Sequence, residues 1–322
     1  MSASVSIIIP THNKCSRLAT TLRSFAFQDV TDFEIVVCDD GSNDGTAQML
    51  SEIRVPYQLR VVSGPRRGAA AARNCAVEAA TGRVLIFNDD DMVPAPGFIA
   101  AHLRACDAED ILSRGQRWSV PIKVVDRFLT QALTHDLYKA MWRTARMTAA
   151  EDWTRNSLTT SPLHHYRFLQ TCTSNLAMRS TTFARVGAFH EAFGTGWGAE
   201  DTELGYRAQL NGVGIRMNDG AMNLHLEHST DSGSKFQRGL ENFRTFKDLY
   251  PGKKDIQALF SYLELAISEG HASELFDEQT FMDGIWPPFT WEIADPRGKV
   301  SYPEAEASKT STSDSHGRSK IS

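Results

Sequence analysis

Three adjacent carboxylates, Asp89, Asp90 and Asp91, follow the apolar run VLIF closely in this chain. Like charges in a row repel one another and resist desolvation, so an acidic triplet needs a stabilising partner. Side chains alternate in direction at a strand end, which lets Asp89 and Asp91 share one ion while Asp90 points elsewhere. Carboxylate oxygens suit Mg2+ and Mn2+. The triplet therefore predicts a Mn2+ or Mg2+ site, and the alternative is a solvated turn whose aspartates cap backbone amides.

A second source of metal ligands is the segment MNLHLEH at residues 222–228. On a strand, His225 and His228 would point to opposite faces, which predicts that they do not bind one metal together. We assign His225 to the ion that Asp91 would hold. The alternative is a histidine whose hydrogen bonds are satisfied in the core or at the surface.

The segment GTGWGAEDTELGYR at residues 194–207 carries the candidate catalytic groups. Trp197 offers a flat apolar face suited to stacking on a sugar, and Glu200 and Asp201 open a predicted helix. A carboxylate in this position can take a proton from an attacking hydroxyl, which is the role of a general base. The alternative for Asp201 is a helix cap, because acidic residues favour the first turn of a helix.

Two adjacent aspartates also follow the apolar run at the start of VVCDDGSNDGT, residues 36–46. Asp39 and Asp40 can accept hydrogen bonds from a base N–H or a ribose hydroxyl. Asn43 or Asp44 is expected to make the turn and cap the next helix.

Arginines surround the start of a predicted helix in GPRRGAAAARN, residues 64–74. Helix N-terminal amides favour anions, so Arg66, Arg67 and Arg73 are candidates for holding a pyrophosphate or a base. The alternative is a well-packed alanine helix with solvated arginines.

Predicted strands and helices alternate in the first hundred residues, and they must position these groups. The predicted strands are Val5–Pro10, Phe33–Cys38, Gln58–Val62 and Arg83–Phe87, and the predicted helices are Lys14–Phe27, Thr46–Ile53 and Gly68–Ala80. This order predicts an α/β fold with a largely parallel sheet covered by helices on both faces. Ligands of such sheets bind beyond the carboxyl ends of the strands, where all the polar clusters of this half lie.

The pattern is weaker after residue 106. We predict a helix over Asp126–Met147, a loop over 150–168 that serves as a cover, and a helix near 201–211. Short strands are expected near 213–217 and 221–226, helices near 235–249 and 254–269, and a disordered tail over 296–322. The predicted domains are 1–230, with halves at about 1–105 and 106–230, and a helical extension over 231–295.

Composition excludes several classes of protein. The 322-residue chain has a formal net charge of −5 and 41% hydrophobic residues, which argues against nucleic-acid binding and favours a large buried core. Its five scattered cysteines suggest reduced thiols rather than a disulfide framework. No apolar stretch approaches the ~20 residues of a membrane span, and no basic region precedes VSIIIP. We therefore expect a cytoplasmic protein, and peripheral contact with a membrane surface is compatible with this expectation.

Taken together, these motifs resemble the family 2 glycosyltransferases. VSIIIPTHN, VVCDDGSNDGT, RRGAAAARN and VLIFNDDD match the order and spacing of that family over roughly residues 4–105. GWGAEDTELGYR is similar to a segment of galactosyl- and N-acetylgalactosaminyltransferases, including bacterial chondroitin-polymerase-like enzymes. MNLH resembles the metal-binding Met-x-x-His of β-1,4-galactosyltransferases.

The resemblance implies a GT-A (Rossmann-like) fold, with a mostly parallel central sheet flanked by helices and helical C-terminal additions. It implies inverting transfer of a hexose or N-acetylhexosamine from a UDP-sugar to a hydroxyl of a glycan, a lipid-linked glycan or a small natural product. A homodimer is compatible with it. Carried over onto this chain, the donor-binding residues are Pro10, Thr11, Asn13, Asp39, Asp40, Arg66, Arg67, Arg73, Asp89, Asp90 and Trp197. The metal ligands are Asp89, Asp91 and His225, Asp201 is the base, and Glu200 is a sugar ligand.

Two other functions fit parts of the pattern. A sugar-1-phosphate nucleotidyltransferase uses a similar sheet and metal, but it needs a glycine-rich basic loop after the first strand, where this chain has PTHNKCSR. An inactive nucleotide-sugar-binding protein would lack the base or the metal ligands, and both are present in the sequence.

Overall fold

A computed structural model describes residues 3–129, 132–147, 164–196, 198–229, 232–257 and 259–261. Several sequence predictions lie outside these residues: Trp197, most of the 150–168 cover, the end of the second C-terminal helix and the 296–322 tail. The domain boundaries at 230 and 295 stay predictions. Among the described helices, none is both long and apolar enough to cross a bilayer.

The N-terminal half is built from parallel strands alternating with helices, as predicted. The strands are β1 (Val5–Thr11), β2 (Phe33–Asp39), β3 (Gln58–Ser63) and β4 (Val84–Asn88), and the helices are α1 (Cys15–Ser24), α2 (Thr46–Glu52) and α3 (Ala69–Ala79). Helix α1 tightens into a 3-10 turn at Phe25–Phe27, which lies inside the predicted helix. The other boundaries agree with the predictions to within one residue.

Burial explains why these segments form strands and a close-packed helix. Apolar side chains of β1, β2 and β4, such as Ile7, Ile35 and Ile86, are fully buried in one core cluster. Each such side chain contributes about 1.5–3 kcal/mol by leaving water. Ala70, Ala71, Ala72 and Ala76 of α3 are also buried, so this helix lies close to β1 and β2.

The second half departs from the predictions in its strands. Its elements are β5 (Met92–Pro94), α4 (Phe98–Ala108), β6 (Ile111–Val120), α5 (Ile122–Val125), α6 (His135–Thr144), β7 (Arg146–Met147), β8 (Asn175–Arg179), α7 (Ser180–Val186), α8 (Glu200–Leu210), β9 (Gly214–Leu226) and α9 (Ser232–Leu249). Short 3-10 turns lie at His164–Gln170 and Glu191–Phe193.

Two expectations for this half are corrected, and one strand is additional to the predictions. The helix predicted over Asp126–Met147 is shorter, because α6 covers only His135–Thr144 and the chain then enters β7. Strand β6 was not predicted, since its sequence ILSRGQRWSV is too polar for an apolar run. The two strands predicted near 213–217 and 221–226 are one strand, β9, with a register shift opposite Gly115 and Gln116.

The described strands form one sheet in the order β3-β2-β1-β4-β8-β6-β9-β5, and β7 pairs with β6. The first four strands are parallel, which confirms the predicted arrangement of the N-terminal half. Beyond β4 the sheet is mixed, with antiparallel β8 and β5 and a parallel β6–β9 pair. The antiparallel pairing of Met92 with His225 brings the acidic turn after β4 beside the end of β9.

Candidate active site

The carboxyl ends of β1, β2 and β3 meet at one rim of the sheet. Thr11 lies in register with Asp39, and Asp39 with Ser63. The Thr11 hydroxyl donates to Asp90 over 2.7 Å, which ties this rim to the turn after β4. The expected convergence of the strand ends is therefore present in the structure.

Asp91 faces two histidines. Its Oδ2 lies 3.6 Å from Nε2 of His225 and 3.3 Å from Nε2 of His228. The prediction that the two histidines diverge is wrong, because β9 ends at Leu226 and strand alternation does not extend to His228. Arg17 donates to the carbonyls of Leu226 and Glu227, which fixes the chain just beyond the strand.

The ligand atoms of Asp91, His225 and His228 all lie within 4.8 Å of one another. The two oxygen–nitrogen separations exceed normal hydrogen bonds and are close to the edge of about 3 Å expected between ligands of an octahedral ion with bonds of about 2.1 Å. One carboxylate and two imidazoles are a common donor set for transition-metal ions. These residues therefore fit a divalent cation.

The electrostatics of this cluster favour an ionised carboxylate. The Asp91 side chain is 9% exposed, and Lys14 lies 3.7 Å from the same oxygen. Burial alone would raise the pKa of Asp91, but the two neighbouring imidazoles and the Lys14 charge hold it well below its usual range. Asp91 is thus kept in the form that binds metal.

The other members of the acidic triplet point in different directions. Asp90 is buried against Thr11, and burial together with the Asp91 charge raises the pKa of Asp90 well above its ordinary value. Asp89 is partly exposed and accepts a hydrogen bond of 3.1 Å from Arg73. Burial also raises the pKa of Asp89, although Arg73 opposes this. The triplet therefore directs Asp89 towards Arg73, Asp90 towards Thr11 and Asp91 towards the two histidines.

Arg73 joins the acidic turn to the start of α8. Its guanidinium is 5% exposed, donates to Glu200 over 2.8 Å and to Asp89 over 3.1 Å, and lies 5.5 Å from the ring centre of Phe189. Burial alone would lower the pKa of Arg73, but the surrounding carboxylates raise it and keep the guanidinium charged. The second oxygen of Glu200 is buried and has no partner among the described residues.

Asp201 has the electrostatic character of a base. Burial and the adjacent Glu200 charge raise the pKa of Asp201 to about 7, and Arg73 opposes them. Its Oδ1 accepts a hydrogen bond from the backbone of Thr202. Ala199, two residues before Asp201, has φ of 76°, a left-handed conformation that is strained for any residue with a Cβ.

Asp40 organises the arginine-bearing loop. Its two carboxylate oxygens accept hydrogen bonds from the backbone N–H groups of Arg66 and Gly68, at 2.7 and 2.8 Å. The Arg66 side chain then lies directly over Gly41, where a Cβ would come within 2.5 Å of its Nε. Asp40 was predicted to bind a ligand, and the structure instead commits both of its oxygens to this loop.

The three arginines of this region have separate surroundings. Arg66 lies over the turn that follows Asp39, whereas Arg67 forms an exposed ion pair with Glu191 at 2.7 Å. Asn74 and Phe189 exchange two hydrogen bonds of 2.9 Å, which connect α3 to the segment before Gly194. The structure therefore separates Arg66 at the rim, Arg67 at the surface and Arg73 in the interior.

The remaining predicted residues hold the loops after β1 and β2 together. Asp39 accepts a hydrogen bond from the Ser42 N–H, and Asn13 accepts one from the Asn43 N–H. Asp44 accepts from the Thr46 N–H in the turn before α2, but the N-cap of α2 is Gly45, so the predicted cap at Asn43 or Asp44 is wrong. Pro10 lies within β1, partly buried.

Three site residues, Lys14, Glu191 and Asn242, escape the sequence reasoning, and His228 is considered there only beside His225 rather than together with it. Lys14 carried a signal, since it is a cation in the polar cluster after the first strand. Asn242 carried none, because it lies on α9, far along the chain. Its side chain is buried and donates to the Gly198 carbonyl over 2.7 Å, which anchors the chain just before α8 begins.

Comparisons with known proteins agree with this geometry. A model described as glycosyl transferase family 2 matches residues 6–171, and one described as N-terminal domain of galactosyltransferase matches residues 156–229. Validoxylamine A glucosyltransferase of Streptomyces hygroscopicus subsp. jinggangensis (strain 5008) is 30% identical over 246 residues, which are 70% of this chain and 56% of that protein. Chondroitin synthase of Escherichia coli is 27% identical over 245 residues, 69% of this chain and 34% of that protein.

The chain thus spans about half or less of the length of these two curated relatives. Among solved structures, Staphylococcus aureus TarS 1–349 in complex with UDP-GlcNAc is similar with a TM-score of 0.57 at 20% identity, covering 88% of this chain and 82% of that one. The mannosyltransferase PcManGT of Pyrobaculum calidifontis, in complex with GDP-Man and Mn2+, gives a TM-score of 0.53 at 16% identity, covering 89% and 88%. The chain belongs to glycosyl transferase family 2 and has the GT-A fold.

Proposed function

We propose that this chain is a metal-dependent, inverting glycosyltransferase, and that it moves a hexose or N-acetylhexosamine from a UDP-sugar to a hydroxyl acceptor. The observation that carries the proposal is the pair of carboxylate centres at one rim. Asp91 with its two histidines forms one centre, and Asp201 with Glu200 and Arg73 forms the other. The names of the relatives, which include glucosyl transfer and chondroitin synthesis, and the UDP-GlcNAc complex of TarS support the donor class.

In this proposal Asp91, His225 and His228 hold a divalent cation, with Asp89 next to it. A bound cation would neutralise the charge that develops on the departing diphosphate. Imidazole nitrogens favour a transition-metal ion such as Mn2+ over Mg2+. The Mn2+ in the PcManGT complex is in line with this choice.

The nucleoside is proposed to lie over the ends of β1 and β2. Asp39 has a second carboxylate oxygen beyond the one that accepts from Ser42, and the residue lies in register with Thr11 at the rim. Arg66 lies over the adjacent turn, so we assign the arginine contact to Arg66 rather than to the surface residue Arg67. Asp40 supports this contact indirectly, through the Arg66 backbone.

Asp201 is proposed to take the proton from the acceptor hydroxyl. A base with a pKa of about 7 is deprotonated in about half of the molecules at neutral pH and still binds a proton strongly enough to assist the attack. Direct displacement by the acceptor needs one base and no enzyme nucleophile, which is why we propose inversion. The unpartnered oxygen of Glu200 is suited to accept a hydrogen bond from a sugar hydroxyl.

Nucleotide-release kinetics test this proposal. The purified chain is supplied with UDP-, GDP- and dTDP-sugars, with and without Mn2+, and released nucleotide is measured over time. We expect release from a UDP-sugar that requires Mn2+ and stops in EDTA. Full turnover in EDTA would contradict the metal role, and formation of a nucleotide-sugar from a sugar phosphate would favour a nucleotidyltransferase. Mn2+-dependent UDP binding with no turnover on any donor would indicate an inactive binding protein.

A further inference from the structure

A buried chain of side-chain hydrogen bonds runs from the interior to the acidic turn. Its members, which we call the amide relay, are Asn88, Asn223, Asn175 and His102. All four are fully buried. They belong to β4, β9, β8 and α4, so the relay crosses the sheet beneath the rim.

The relay ends on the backbone of the acidic turn. The Asn88 amino group donates to the carbonyls of Asp89 and Met92, over 2.9 and 3.2 Å. These two carbonyls bracket Asp90 and Asp91, so one side chain fixes both ends of the turn. Asn223 in turn donates to Oδ1 of Asn88 over 3.1 Å.

The direction of every bond in the relay is determined by backbone carbonyls, which can only accept. Asn88 must donate to the turn, so its oxygen accepts from Asn223. Asn223 also donates to the Ser174 carbonyl over 2.7 Å, so its own oxygen accepts from Asn175 over 3.0 Å. The arrangement therefore has no second amide orientation that satisfies all of its groups.

The inner end of the relay is equally constrained. The Asn175 amino group also lies 3.0 Å from the carbonyls of Gln116 and Ala221, so its two hydrogens are shared among three acceptors. Its oxygen therefore accepts from Nε2 of His102 over 2.8 Å. Burial lowers the pKa of His102 to about 4, which keeps the ring neutral. Gly115 leaves room for this packing, since a Cβ there would come within 2.2 Å of the Asn175 oxygen.

Asn223 links both sources of metal ligands. It lies on β9 two residues before His225, and it pairs in register with Pro94, just after the acidic turn. We propose that Asn88 and Asn223 are positioning residues that hold Asp91 against His225 and His228 in the arrangement a divalent cation needs. This inference rests on the proposed metal role of those three residues. Groups that orient metal ligands without touching the metal affect its affinity strongly.

The test is a titration of Mn2+ alone into the purified full chain, followed by the loss of the electron paramagnetic resonance signal of free Mn2+. We expect Asn223→Ala to raise the dissociation constant by about 10- to 100-fold. The matched control is Asn218→Ala, on the same strand. Asn218 donates to the Ala101 carbonyl and the Ser113 hydroxyl, both at 3.0 Å. It reaches the relay only at its inner end, where Ser113 lies 3.0 Å from Nδ1 of His102, and it contacts neither Asn88, Asn223 nor the turn. It should change the constant less than about threefold.

A purely structural role would lower the unfolding midpoint without moving the Mn2+ titration. Folded Asn223→Ala with wild-type Mn2+ affinity would therefore overturn the inference, as would an equal loss in Asn218→Ala. Should Asn223→Ala not fold, Asn88→Ala is judged by the same criterion. A wild-type chain that leaves the Mn2+ signal unchanged would instead contradict the proposed metal site itself.

Discussion

Each of the two carboxylate centres of the rim is built around an aspartate, and the two aspartates have opposite electrostatic outcomes. Asp91 faces two imidazoles and Lys14, and its pKa is held well below its ordinary value. Asp201 faces Glu200 in a buried setting, and its pKa is raised to about 7. Surroundings that separate the pKa values of two carboxyl groups assign them different chemistry. In the proposed function, this difference separates a metal ligand from a base.

Arg73 and Asp89 lie between the two centres. Arg73 donates to Glu200 on one side and to Asp89 on the other, so it is the shared cation of the site. Arg73 donates to Glu200 and Asp89 rather than to Asp91 or Asp201. A substitution of either aspartate should therefore leave the other centre largely intact, which makes the comparison testable.

The largest effect is expected from removing the ligand at the first centre. Asp91→Ala leaves two imidazoles without their carboxylate, and Mn2+-dependent UDP release should fall by at least about a hundredfold. Asp107→Ala is the control, since Asp107 forms an exposed ion pair with Arg83. Release kinetics at saturating UDP-sugar measure both variants. Near-normal release by Asp91→Ala would contradict the assignment of the metal to the first centre.

The next effect is expected from the second centre alone. Asp201→Asn keeps the shape of the side chain but cannot accept a proton, so sugar transfer should fall by about 10²- to 10⁴-fold. Binding of UDP with Mn2+ should change less than about twofold, because the first centre is untouched. Calorimetry and transfer assays on the same preparation separate the two quantities. Weaker UDP binding that matches the loss of transfer would place Asp201 at the nucleotide instead.

The pH dependence of transfer sharpens the assignment of the base. Asp201 must be deprotonated to act, so below pH of about 7 the rate should fall tenfold per pH unit. Glu200→Gln removes the neighbouring negative charge that raises the pKa of Asp201, and the acidic limb should move to lower pH. Rate profiles at saturating donor measure this shift. A limb that stays in place, or moves to higher pH, would contradict the electrostatic coupling.

The smallest effect concerns the backbone that presents the base. Ala199 is left-handed, so Ala199→Gly should raise the free energy of unfolding by about 1 kcal/mol. The matched control is Ala208→Gly inside α8, which should lower it by about 1 kcal/mol. Urea unfolding measures both, and equal signs for the two substitutions would rule out strain at Ala199.

The N-terminal half could be predicted from sequence because each buried strand there is an apolar run that ends in a polar cluster. Val5–Thr11 and Phe33–Asp39 show this plainly, and their pairing follows from the alternation of strands with helices. Strand β6 could not be predicted in this way. Its residues Ser113, Arg114 and Gln116 are buried but polar, so no apolar period reveals the strand.

The candidate site shows the same division. The acidic triplet, Asp201 and Glu200 could be singled out by residue type and by their places in the predicted elements. The contact of His228 with Asp91 could not, because it depends on where β9 ends. The commitment of Asp40 to the Arg66 and Gly68 amides depends on a loop conformation that residue types do not reveal.

The most direct test of the two-centre account is a crystal grown with Mn2+ and UDP, with diffraction recorded at the manganese absorption edge. The account predicts an anomalous peak bounded by Asp91, His225 and His228, with the Asp201 carboxylate outside the coordination shell. A peak at any other position, or one that includes Asp201 as a ligand, would contradict it.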